Sequence, residues 1–299
     1  MITRDGLGED TEFARFHPLV SFMYFALAIG ITMFSMSVIF LAVTFVCSWI
    51  YSVLLKGVAG AKENLIFTVS TLVIMALINT FFTHNGATVL FYINNNRITL
   101  EAFVYGICAA VMLVSVIIWF SCFNVIMTAD KLIYLFGKAA PVLGLTMSMI
   151  FRFIPLLKNR FKAISMGQRG MGREKAATFT GKARQLTKET SILIAWSLES
   201  SIESADSMEA RGYGLRGRTS FNLFKLSERD ILMLAVMAVL GGICIYGCVT
   251  GITGMYYYPE IEWPKADLAT ALTAACYAVL LLLPAAVDII GEIRWKRYA

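Results

Sequence analysis

Residues 18–55 read PLVSFMYFALAIGITMFSMSVIFLAVTFVCSWIYSVLL, with no charged side chain among them. At 1.5 Å per residue, one helix of that length would be nearly twice as long as a ~30 Å bilayer core is thick. The run therefore has to fold back on itself. The small polar residues between Thr32 and Ser37 mark the place and leave two short spans. Further apolar runs lie at 65–82, 101–120, 230–250 and 267–287. The chain as a whole is 58% hydrophobic and 15% charged; soluble domains average roughly 45–50% and 25%. The reading is an all-α, polytopic membrane protein with about six transmembrane helices.

A seventh run, 142–154, is too short for a comfortable span; it begins after Pro141 and meets Arg152. Charge decides its case. With the N-terminus in the cytoplasm and six spans, 24 of the 26 Lys and Arg fall on the cytoplasmic side, leaving only Arg97 and Lys265 outside. A seventh crossing would carry the largest basic block to the outer face, against the positive-inside rule. Both termini are therefore expected inside. The aromatic stretch 256–264 is expected at the outer interface, where Tyr and Trp rings are stable. The first eighteen residues mix Arg4, Asp5, Glu9, Asp10, Glu12 and Arg15, and they lack the pattern of a cleavable signal. The six cysteines all sit in apolar stretches and read as small buried hydrophobes.

The organisation expected is a membrane part at 1–120 with four spans, a cytoplasmic or interfacial part at 121–229, and two spans in 230–299. Residues 152–229 hold 15 basic and 7 acidic side chains, a net of +8 in a chain whose total is +6. Such a segment is long for a loop without a task. No nucleic-acid module is recognisable in it, and membrane spans hem it in, so nucleic acid is not an expected partner. Its apolar content favours a helical platform for another protein, with the lipid bilayer around the spans.

Two helices are readable there. One runs from about Val142 to Met166, with Pro155 expected to bend it. The other runs from about Lys182 to Arg211 and carries Ser197, Ser200, Ser201, Ser204 and Ala205, small side chains at the spacing that allows a close helix crossing. Each ends on Arg-Gly: Arg169-Gly170, and Arg211-Gly212 preceded by Glu209-Ala210. Glycine after a helix favours a left-handed cap, and a cation in the last turn complements the helix dipole. A guanidinium on such a blunt tip also suits a bidentate pair with a partner's carboxylate.

Phe16-His17-Pro18, the run Arg152-Phe153-Ile154-Pro155-Leu156-Leu157, and the signature Ser207-Met208-Glu209-Ala210-Arg211-Gly212-Tyr213-Gly214 resemble a known family. It is the transmembrane T component of energy-coupling factor (ECF) transporters, relatives of ABC importers that include the Q-type subunit of cobalt transporters. The resemblance covers about residues 13–250. The first signature departs from it in one place, with Gln168 where alanine is usual. The resemblance implies two long coupling helices, 142–172 and 182–212, that cross and insert their tips into two ABC ATPase subunits. It makes Arg169 and Arg211 the docking arginines. It further implies a small membrane S component that captures a vitamin, a vitamin precursor or a metal ion. ATP and Mg would belong to the ATPases, with no cofactor in this chain; in agreement, no Gly-x-x-x-x-Gly-Lys-Ser/Thr occurs.

The rival from another class is a membrane-embedded enzyme. Glu199, Glu203, Asp206 and Glu209 fall near one helical face, as a metal or phosphoryl-transfer site would need. Their plainer role is pairing with surrounding Lys and Arg, or with basic groups of a partner. No zinc-protease or serine-nucleophile motif supports the enzyme, and the spans lack the mid-membrane charges of an ion pathway. Asp288 and Glu292 are expected to be solvated at a span's end.

Overall fold

The computed structural model describes residues 11–83, 86–93, 96–139, 141–171, 179–215, 224–251, 253–258 and 267–298. In chain order its helices are α1 (Pro18–Phe34), α2 (Val38–Phe82), α3 (Leu100–Ile126), α4 (Ala129–Ala139), α5 (Pro141–Gly170), α6 (Phe179–Ala210), α7 (Glu228–Val249) and α8 (Leu268–Tyr298). A short antiparallel hairpin, β1 (Val89–Ile93) with β2 (Asn96–Thr99), precedes α3. The hairpin was not expected from the sequence, because its runs are shorter than the helices beside them.

Among the described residues, five helical segments are long and apolar enough to cross a membrane: Val38–Gly57, Gly60–Asn79, Leu100–Ile126, Glu228–Val249 and Leu268–Lys296. The shorter apolar helix Pro18–Phe34 completes the six expected. The 142–154 run forms the start of α5 and is not among these spans. α1 ends at Phe34 and α2 begins at Val38, so the long opening run does fold back, close to where its polar residues cluster.

α2 is itself two arms. Gly57 has φ 67° and ψ −164°, a backbone conformation open to glycine. Beyond it the chain reverses: Asn64 Nδ2 donates to Ser52 Oγ at 2.7 Å, although twelve residues of continuous helix would separate them by about 18 Å. Lys56 Nζ also hydrogen-bonds Ser121 Oγ on α3. Further along, a Cβ added at Gly106 would stand 2.9 Å from Asn79 Cβ and 3.4 Å from Ala76 Cα. The second arm of α2 and α3 thus meet almost backbone to backbone, the small-residue contact by which helices associate in lipid.

The chain divides into two units, one comprising Met1–Lys131 and Phe224–Ala299, the other Leu132–Leu223. In the first unit an aromatic core forms where α1, α2 and α3 meet. Trp119 is fully buried, with ring centroids of Tyr24 at 5.9 Å, Tyr51 at 6.0 Å and Phe25 at 6.2 Å. α8 belongs to the same core through buried Tyr277, Leu280, Leu281 and Ala285. Tyr24 donates its hydroxyl to Leu281 O at 2.9 Å, and Tyr277 shares hydrogen bonds with Thr32 at 2.9 Å and with Thr44. Every cysteine is free; Cys47, Cys108, Cys122 and Cys244 are buried, Cys248 and Cys276 partly so.

One expectation about the helix ends needs correction. Asp288 is partly buried rather than simply solvated: Oδ1 accepts from Phe13 N–H at 2.8 Å and Oδ2 from the Tyr51 hydroxyl at 3.4 Å. Among the described residues of the aromatic stretch, 256–258, only Tyr256 is exposed. Tyr257 packs against Tyr105 and donates to Met36 O at 2.6 Å. Burial pushes its hydroxyl well above the ordinary tyrosine range, so it remains a donor. Residues 259–264 of that stretch lie outside the described residues.

Candidate functional site

The second unit is built on α5 and α6, each about 45–48 Å long at 1.5 Å per residue. Along α5, Met149, Phe153, Leu157, Phe161, Ile164 and Gln168 are shielded from solvent, and their neighbours other than Ser165 are exposed. Along α6 the shielded row is Gln185, Glu189, Leu193, Trp196, Ser197, Ser200, Ser204 and Met208. Rows with a step of three to four residues are the ridges by which helices interlock. The two helices pack on each other, and Arg160 of α5 places its guanidinium 4.9 Å from the ring centroid of Trp196. The shielded row of α6 is therefore the side that meets α5.

The small residues divide across α6. Ser197, Ser200 and Ser204 lie on the shielded row, whereas Ser201 and Ala205 are exposed and fall on the other side. Spacing alone groups all five, because steps of one and four look alike until a partner fixes the face. The hydroxyls do not reach for solvent: Ser204 Oγ donates to Ser200 O and Ser201 Oγ to Ser197 O, both at 2.7 Å. Turned back on their own helix, they leave a low surface that needs no polar partner.

The two arginine tips are built differently. At the end of α6, Gly212 N–H donates to Glu209 O at 2.9 Å and Tyr213 N–H to Met208 O at 3.0 Å, with Gly212 at φ 77°. This pair of bonds around a left-handed glycine is the Schellman motif. It leaves Glu209, Ala210 and Arg211 exposed at the last turn. At the end of α5, Gly170 is not the cap. Gly170 is still helical and without positive φ, and Met171 N–H continues the ladder to Gly167 O at 3.2 Å. Gly172 lies outside the described residues. Arg169 and Gly170 are exposed, while Gln168 turns inward and is only 8% exposed. The departure from alanine at 168 thus falls on the packed side of the helix, and the arginine beside it faces out.

Glu199, Glu203, Asp206 and Glu209 are all exposed. None takes part in the ion pairs found among the described residues, Arg15–Glu12 and Lys296–Glu292. Among the described residues, none of the four pairs with one of the chain's own Lys or Arg, the plainer role expected for them. Among the described residues, no group of three or more His, Cys, Asp or Glu side chains is placed to hold a metal ion, so the four carboxylates do not make the centre that the enzyme reading requires. Stacked at the C-terminal half of α6, they oppose the helix dipole, which favours cations there.

Sequence reading missed two features of this unit. One is the Arg160–Trp196 contact, which joins residues on different helices and has no local signature. The other is Glu189, 3% exposed, which accepts from Gln185 Nε2 at 2.9 Å. That pair had a signal in its spacing of four.

The family model for the cobalt transport protein CbiQ matches residues 8–221. No curated protein matches the chain. The chain belongs to the CbiQ cobalt transport family, and it is a multi-pass membrane component of a transport system. The matched stretch takes in α1 to α6; α7 and α8 lie beyond it.

Proposed function

We propose that this chain is the energy-coupling transmembrane component of an ECF-type ABC importer. The observation that carries the reading is the pair of long helices α5 and α6, set in a unit of their own and each ending on an exposed arginine. Two ABC ATPase subunits, holding ATP and Mg, would receive Arg169 and Arg211 in acidic grooves, where a planar guanidinium pairs with a carboxylate more specifically than an ammonium does. Closure of the ATPase pair would move α5 and α6 and, through them, the membrane unit. A separate small membrane protein would capture the substrate, a vitamin, a vitamin precursor or a metal ion. The bias of 24 in 26 Lys and Arg toward one side supports an orientation with both termini and the coupling helices in the cytoplasm of a bacterial cell.

Co-purification tests this. The tagged chain, expressed with its neighbouring genes and extracted in mild detergent, should bring down two ABC ATPases and a small hydrophobic protein. The double variant Arg169→Glu with Arg211→Glu should lose the ATPases while still inserting in the membrane. Retention of both ATPases by that variant refutes the docking role of the tips.

A further inference from the structure

The chain leaves the membrane unit after Lys131 and returns to it at Phe224, so the coupling unit hangs on two connections. Beside each stands a buried charge, and both charges are bound to one short segment ahead of α1. On the leaving side Lys131, 8% exposed, donates from Nζ to Ala14 O at 2.6 Å and to Ile126 O at 2.9 Å. On the returning side Asp230, 5% exposed, accepts His17 N–H on Oδ1 at 3.1 Å. Its Oδ2 accepts the N–H and the hydroxyl of Ser227 at 2.8 and 2.9 Å. Phe13, fully buried, anchors the segment to α8 through its N–H to Asp288.

Capping accounts for half of this. Lys131 satisfies a carbonyl in the last turn of α3, and Asp230 forms a capping box with Ser227 at the start of α7. A further bond of each charge goes elsewhere, to Ala14 and to His17, 117 and 213 residues away in the chain. A buried ammonium or carboxylate is stable only when its hydrogen-bonding capacity is met. Ala14–His17 contributes to it for both.

We propose that Ala14–His17 is a clasp joining the two connections, so that movement of α5 and α6 reaches α3 and α7 together; Lys131 and Asp230 are its positioning residues. This rests on reading α5 and α6 as the ATPase-driven helices.

The test is hydrogen exchange on the complete complex with its ATPases, with and without a non-hydrolysable ATP analogue. His17→Pro removes the N–H that Asp230 accepts. Its backbone already fits, since His17 has φ −55° and Phe16 before it is extended. His17→Ala is the control: it removes the imidazole that accepts from Leu19 N–H but keeps the backbone donor. Relative to the control, His17→Pro should speed exchange about tenfold both at 224–232 and at the far connection, 127–135, the size expected for losing one hydrogen bond to a charged group. The analogue should change both connections together in the wild type and only one in His17→Pro. Acceleration confined to 224–232, equal exchange in the two variants, or a wild-type complex in which the analogue alters neither connection overturns the clasp. Should His17→Pro fail to accumulate, Lys131→Met asks the converse, with loosening at 224–232 expected and unchanged exchange there overturning the idea. Absence of ATPases from the wild-type preparation would count against the docking reading instead, and the two failures are distinguishable on the gel.

Discussion

Arg160 and Trp196 meet across α5 and α6, the guanidinium 4.9 Å from the indole centroid. The contact ties the middle of α6 to α5. A cation over a half-exposed indole contributes about 0.5–1 kcal/mol. A double-mutant cycle of Arg160→Ala and Trp196→Ala, read by thermal unfolding in detergent at a fixed scan rate, should return a coupling energy of about that size. Trp196→Phe should keep part of it. Additive single effects would remove the contact from the account.

The division of the small residues makes a sharper test than their spacing did. Ser200→Phe and Ser204→Phe place a ring on the row that meets α5 and should lower transport several-fold while the ATPases stay bound. Ser201→Phe adds the same volume on the exposed side and should leave transport within about twofold of wild type, in line with the small effect of surface substitutions. Equal loss from all three would mean that α6 is read from the wrong face.

The two tips should respond oppositely to the same change. Gly212→Ala forces a Cβ into a left-handed backbone at φ 77° and should cost about 1 kcal/mol, with faster amide exchange at 209–213. Gly170→Ala enters a helical position with nothing within 4 Å of the new methyl, and it should be neutral or stabilising by up to about 1 kcal/mol. Hydrogen exchange at the two helix ends checks both.

In the membrane unit, Gly57→Ala should lower the unfolding temperature, because φ 67° with ψ −164° costs a side-chain-bearing residue about 1–3 kcal/mol. Gly106→Val should do at least as much by pushing α3 away from Asn79 and Ala76. Normal thermal stability in both variants would contradict the tight reversal in α2 and the close contact beside it.

Much of this architecture was legible because it is local. Runs of apolar residues against a ~30 Å bilayer give spans, and an uncharged stretch from 18 to 55 has to turn within itself. The polar interruption between Thr32 and Ser37, the short 142–154 run and the Arg-Gly ends each act within a turn or two of their own position. The left-handed Gly212 follows from the same local rules. Gly170, by contrast, is the last residue of α5 and keeps helical backbone instead of forming the left-handed cap.

Tertiary structure decided what depends on which residues meet. Ser201 and Ser200 are chemically equal, and only contact with α5 separates them. Asp288 looked like a solvated end-of-span carboxylate until Phe13, 275 residues away, supplied its donor. Lys131 and Asp230 each serve a helix end, and both are also bound to Ala14–His17. A sequence states the period and polarity of each helix, whereas the partners of a buried charge are set by which helix ends packing brings together.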